Sequence, residues 1–226
     1  MNRELNLIIL CLAILSVIVG CTLISQRNVA DLYAENVSTI VLVTNEAEGY
    51  GTGFVINKQK GLIISAYHLI DERQSIEDQR FRIKFQTDKL NKSGITLFGD
   101  IVAFDKSNDI IIIKVNSDKI KHLKISKLEF ESKIFVGERV YCIGNPKNLF
   151  NITSFGIISS GFIFDENPLL PQPYMITDIH IIGGNSGCPV FDFENKIVGM
   201  VVRFYYSYSM IVPSTSIEKF IKENAN

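Results

Sequence analysis

Residues 183–190 read Gly183-Gly184-Asn185-Ser186-Gly187-Cys188-Pro189-Val190, which has the form of a turn that presents one serine beside backbone N–H groups. Flanking glycines allow backbone conformations with φ > 0 that a Cβ atom would disfavour, and they leave the approach to the hydroxyl open. The N–H groups of Gly184 and Ser186 then face the place where an oxyanion would develop, with Asn185 between them. Glycine-rich turns containing serine are common, so the motif carries chemistry only in company with a histidine and an acid.

The chain has three histidines, His68, His122 and His180. His68 ends the stretch 51–70, GTGFVINKQKGLIISAYHLI, in which two apolar strands flank a turn at Lys58 to Gly61. A histidine where a buried strand ends is held rigidly and still reaches a cleft. His122 lies in the lysine-rich IKHLKISKLE and reads as part of a solvated connector. For the acid, Asp109 directly precedes four consecutive isoleucines, Ile110 to Ile113. Such a run marks a strand covered on both faces, and a carboxylate at its mouth needs a partner. The Nδ1–H of an imidazole is a suitable one. Asp105, in the preceding turn, and Asp178, close in sequence to Ser186, are the competing acids.

Four segments in this order carry a family resemblance: GTGFVIN with GLIISAYHLI, GDIVAFDKSNDIIIIKV, VGERVYCIGNPKNLFNITSFGIISS, and ITDIHIIGGNSGCPVFDFENKIVGM. Together they resemble the HtrA-like (DegP-like) members of the chymotrypsin-fold serine proteases, from about residue 37 to about 217. The resemblance implies two six-stranded antiparallel β-barrels, with Ser186 as nucleophile, His68 as general base and Asp109 holding the histidine's tautomer. It implies an oxyanion hole at Gly184, Asn185 and Ser186, polypeptide substrates and no cofactor. Asn185 stands where digestive enzymes of the fold carry an Asp that pairs with a new N-terminus, so activation by that ion pair is not expected. His180 falls where the fold places the floor of the substrate pocket, and Val201, Val202, Arg203 and Phe204 fall on its wall. Phe204 is thus expected to narrow the pocket, and His180 suits either a preference for an acidic or polar side chain or a structural role. Typical members continue into a PDZ domain, and none is expected within these 226 residues.

Composition agrees with an all-β fold: 46% of residues are hydrophobic, and the apolar runs are separated by Gly, Asn, Asp and Pro. The first barrel is expected over residues 37–116, a polar linker over 117–134, and the second barrel over 135–226 with a helix from Ser214 to Lys222 begun by a Ser/Thr cap. A formal net charge of −1 supplies no basic field for nucleic acid.

Leu7 to Ile24 run for 18 residues without a charge, followed by an expected linker over 26–36. This segment suits an export signal or a membrane anchor. Ile18-Val19-Gly20-Cys21 resembles a lipobox, so three readings stay open: a lipoprotein acylated on Cys21, an uncleaved span, and full secretion. All three put the folded part outside the cytoplasm. Cys142 and Cys188 remain for the folded part, where two free thiols are favoured over a disulfide, and neither CxxC nor HExxH metal spacing occurs. Two function classes follow, an active serine endopeptidase of the cell envelope and a catalytically silent trypsin-like module that binds peptides or partners.

Overall fold

A computed structural model describes residues 28–86, 94–167 and 170–225. The apolar runs become strands close to where the sequence puts them. Strands β1 (Ile40–Thr44), β2 (Tyr50–Asn57), β3 (Leu62–Ala66), β4 (Arg80–Gln86), β5 (Gly94–Asp105) and β6 (Ile110–Val115) close a barrel in the order β1-β2-β3-β6-β5-β4. All four isoleucines of β6 are fully buried, and strand alternation gives them two destinations. Ile111 and Ile113 join Val41, Phe81 and Ile83 in the core of this barrel, whereas Ile110 and Ile112 join Phe54, Tyr141 and Met200 in a core shared with the second half of the chain.

That second half contains β7 (Glu129–Phe130), β8 (Arg139–Gly144), β9 (Ile152–Ile157), β10 (Met175–Thr177), β11 (Pro189–Asp192), β12 (Lys196–Tyr205) and β13 (Tyr208–Pro213). Six of them run in the order β10-β13-β12-β11-β8-β9, and β7 lies parallel to β12 at Lys196 and Ile197. The chymotrypsin-like all-β fold is therefore present, with one closed barrel and one half-barrel. No continuous ladder joins β9 to β10. An isolated bridge between Ile158 and Thr177 brings their ends together. Beside it the Asp178 carboxylate accepts the Ile157 N–H at 2.6 Å, so a side chain takes a hydrogen bond that a neighbouring strand would otherwise supply.

The stretch 26–36 is not simply a linker. It contains helix α1 (Val29–Asn36), whose N-cap Asn28 accepts from the Ala30 N–H at 3.1 Å. Leu32 of α1 is buried in the shared core, and Asn36 donates to the Tyr141 hydroxyl at 2.9 Å and to Asn195 Oδ1 at 3.0 Å. Similarly, β7 lies within the stretch 117–134. The C-terminal helix α2 (Ser214–Asn224) is present, but its N-cap is Pro213 and no side chain caps it. Ser214 is buried and its hydroxyl donates instead to the Glu131 carbonyl, tying α2 to the end of β7. Among the described residues no helix is long and apolar enough to cross a membrane, and the segment Leu7 to Ile24, with Cys21, lies outside them.

Ile111 is fully buried, and β6 pairs with strands on both sides. Ile111→Ala is expected to cost about 2–5 kcal/mol through lost burial and a residual cavity. A urea titration followed by circular dichroism should show the midpoint falling with little change in slope.

Candidate active site

Antiparallel pairing of β3 with β6 sets Ala66 opposite Ile110, so the chain leaving one strand and the chain entering the other meet at one end of the barrel. Beyond Ala66 a short 3₁₀ turn, Tyr67–Leu69, lifts His68 out of the strand. Asp109 holds that turn at three points. Its carbonyl accepts the Tyr67 N–H at 3.1 Å, its Oδ1 accepts the His68 N–H at 2.8 Å, and its Oδ2 lies 2.7 Å from His68 Nδ1. An ionised carboxylate only accepts hydrogen bonds, so Nδ1 carries the proton and a neutral ring keeps Nε2 free as a base. Asp109 is 8% exposed and adopts φ 56°, a left-handed conformation that aspartate tolerates better than most residues.

The serine turn is closed on itself. The Asn185 N–H donates to the Ile182 carbonyl at 3.1 Å and the Cys188 N–H to the Asn185 carbonyl at 2.9 Å, with Ser186 enclosed between them. Two glycines are structurally required. Gly184 (φ 102°) and Gly187 (φ 84°) lie in the left-handed half of the map, and an added Cβ would fall 2.5 Å from the Asn145 carbonyl oxygen or 2.1 Å from that of Thr52. The same close packing sets Gly187 against Ser65 and Ala66, the end of the strand that delivers His68. Among the described residues no hydrogen bond joins the Ser186 hydroxyl to the imidazole.

Both Gly184 N–H and Ser186 N–H lack a protein acceptor among the described residues. The Gly183 carbonyl accepts from the Lys147 N–H at 2.9 Å, and in a trans peptide this turns the Gly184 N–H to the opposite side. Asn185 does not belong with these donors, because its N–H is used inside the turn and its side chain is buried against Gly144.

One residue that the sequence did not single out joins the two halves of this site. Thr52, fully buried on β2, donates its N–H to the Ser186 carbonyl at 2.8 Å and its hydroxyl to the Gly184 carbonyl at 2.7 Å. Its Oγ1 accepts the Asn145 N–H at 2.8 Å, and its own carbonyl accepts from Ser65 Oγ at 2.7 Å. Asn145 adds a further cross-link, donating Nδ2 to the Val41 carbonyl at 2.9 Å. The only local signal is a threonine between glycines at Gly51-Thr52-Gly53, whose partners lie far along the chain.

The expected substrate-pocket residues separate. Val201 and Val202 are buried in the hydrophobic core, on its two sides, so their side chains do not line a pocket. Phe204 is 65% exposed near the end of β12, and His180 is also exposed. Arg203 lines a cavity of about 590 Å³ together with Tyr67, His68, Asp109 and Pro171. His122 is exposed on the connector. The competing acids have structural partners: Asp105 accepts from the Asn108 N–H at 3.0 Å, and Asp178 holds Ile157. Cys142 and Cys188 are buried free thiols behind the serine turn. Burial, and then the neighbouring Cys142, push the Cys188 thiol well above its usual range. No group of His, Cys, Asp and Glu among the described residues is arranged to hold a metal ion.

Comparison with known proteins gives this geometry a context. A family model described as a trypsin-like peptidase domain matches residues 51–200. The chain is 28% identical over 193 residues to "Protease Do-like 1, chloroplastic" of Arabidopsis thaliana, covering 77% of this chain and 40% of that protein. It is 29% identical over 164 residues to "Probable periplasmic serine endoprotease DegP-like" of Hahella chejuensis, covering 71% of this chain and 31% of that protein. The chain therefore spans well under half the length of these relatives. Among solved structures, Deg5 superposes with a TM-score of 0.71 at 21% identity, over 84% of this chain and 90% of that one. This likeness supports the fold alone.

Thr52→Val keeps the shape of the side chain and removes the hydroxyl, leaving the Gly184 carbonyl and the Asn145 N–H buried without their partner. The expected loss is about 2–6 kcal/mol, from two unsatisfied groups at about 1–3 kcal/mol each. Thr52→Ser should retain most of the stability. Urea unfolding of the two variants side by side checks the difference.

Proposed function

The chain belongs to the trypsin-like peptidase family, and from that premise we propose that it is a serine endopeptidase of the cell envelope that cuts exported or unfolded polypeptides through Ser186, His68 and Asp109. The single observation that carries this reading is the grip of Asp109 on His68, ring and backbone together, with Nε2 left free. A silent binding module has no need to fix a histidine's tautomer with a buried carboxylate.

In the proposed reaction Ser186 Oγ attacks the scissile carbonyl carbon while its proton passes to His68 Nε2. The carbonyl oxygen takes the electron pair, and the N–H groups of Gly184 and Ser186 stabilise the anion. Collapse breaks the C–N bond, and His68 returns the proton to the leaving amine. A water molecule then repeats the sequence on the acyl-enzyme, releasing a carboxylic acid and restoring the serine. Asp109 remains ionised throughout and stabilises the transient imidazolium.

An extended substrate has a place to lie. Arg203, Phe204 and Tyr205 pair with β13 on one side only, whereas earlier β12 residues pair with β11 as well. The unpaired edge of these three residues can accept a polypeptide by strand addition. Extracytoplasmic location is supported by the periplasmic assignment of the Hahella relative and by the apolar run from Leu7 to Ile24. An N-terminal anchor, lipidated at Cys21 or spanning the bilayer, completes the proposal.

A fluorophosphonate probe should label the full-length protein on Ser186 and fail on Ser186→Ala. His68→Ala and Asp109→Asn should each lower peptide hydrolysis roughly 10⁴-fold while leaving the fold intact by circular dichroism. Absence of labelling in folded wild-type protein would sink the assignment. Mass spectrometry of the mature N-terminus should find either a diacylated Cys21 or a chain that retains Met1.

A further inference from the structure

We propose that Arg203 selects the substrate: its guanidinium receives a carboxylate side chain close to the scissile bond, so the preferred polypeptides are acidic there. The inference rests on the protease reading, but it concerns binding and can be tested without turnover.

The charges around the cavity carry the argument. Arg73 forms a two-point ion pair with Asp71, Nε to Oδ1 and NH2 to Oδ2, each at 2.8 Å. Lys106 pairs with Glu72 at 2.8 Å, and Asp109 is engaged with His68. These groups all line the same cavity. Arg203 lines it too, and among the described residues its guanidinium has neither an ion pair nor a hydrogen bond. Every anion of the cleft already has a partner, and one cation does not. Arg203 is therefore the one cation of this lining that no described residue engages, and its guanidinium is available to a negative group brought in from outside.

Backbone geometry aims that charge. Val201 and Val202 are buried, and the register of β12 against β13 shifts between Val201 and Arg203. A shift of this kind in one strand re-directs the following side chain, and such irregularities concentrate beside active sites. Arg203 thus opens toward the cavity that contains His68 and sits on the unpaired edge of β12. A planar guanidinium fork matches a carboxylate at two points, and a substrate lying along the edge would carry its side chains past it. A surface arginine without this role would float in solvent and discriminate nothing.

The test uses full-length protein bearing Ser186→Ala, which binds without cutting. Three fluorescein-labelled versions of one unfolded peptide, with Glu, Gln or Lys at the same positions, are titrated by fluorescence anisotropy. The Glu peptide should bind about fivefold more tightly than the Gln peptide at low salt, and the gap should close in high salt. Adding Arg203→Glu should reverse the order in favour of the Lys peptide, while Arg203→Lys keeps the original order at reduced strength. Equal binding of the Glu and Gln peptides, no binding by either, or an unchanged order in Arg203→Glu would each overturn the proposal. Cleavage by the wild-type protein separates the two readings. Charge-ordered binding without cleavage or labelling would sink the protease and leave this inference standing, and cleavage without charge ordering would do the reverse.

Discussion

The seam between the two halves of the fold is the constraint on which the rest depends, and Thr52 anchors its polar part beside the serine turn. His68 and Asp109 come from the closed barrel, whereas Ser186 comes from the half-barrel. No local geometry within either half sets the distance between them. Thr52 does so by bonding the Ser186 and Gly184 carbonyls, and Asn145 fastens the opposite strand to both Thr52 and Val41. Each such bond contributes about 1 kcal/mol net, but breaking one leaves a buried partner exposed to a larger penalty. Beneath them, Phe54, Ile110 and Ile112 share one apolar core with Tyr141, Met200 and Val212. The burial pulls the halves together without direction, and the hydrogen bonds fix where they stop.

Within the closed barrel the same logic acts on a smaller scale. A non-glycine residue at φ 56° is under mild strain, of the order of 1 kcal/mol. Asp109 sustains it because three hydrogen bonds to the Tyr67–His68 turn over-determine its position. The strain has a use. In that conformation one residue offers its carbonyl to Tyr67 and both carboxylate oxygens to His68, which places backbone and ring together. A histidine fixed only through its ring could still move with its loop.

Much of this was legible in the chain. The four isoleucines of β6 announced a strand covered on both faces, and the structure gives each face its own core. His68 and Asp109 at strand ends were readable because strand ends recur at the edge of a sheet, and the pairing of Ala66 with Ile110 makes the two edges one. What failed to show was whatever depends on contacts distant in sequence. Thr52 looks like an ordinary β residue until its partners at Asn145, Gly184 and Ser186 are in place. Helix α1 is only eight residues long, and although Leu32, Tyr33 and Asn36 meet the fold, so brief an apolar spacing does not mark a helix by itself. Ser214 had the right chemistry for a helix cap and spends it on Glu131, because burial made that carbonyl the nearer need.

Strand β12 shows why a correction and a new assignment can arise from one fact. Val201 and Val202 were expected to line a pocket because they sit on the strand beside the cleft. A strand wedged between a barrel core and a shared core has no solvent face, so both valines are buried on opposite sides. That burial gives β12 its rigidity up to the register shift. Past the shift the partner strand β11 has ended, and residues 203–208 are all exposed. A rigid strand that emerges from a core with one edge free is a suitable base for a recognition residue, since the side chain at the point of emergence is aimed by packing it does not itself contribute to. Arg203 occupies that point, in the cavity of His68, with a guanidinium that no described residue engages.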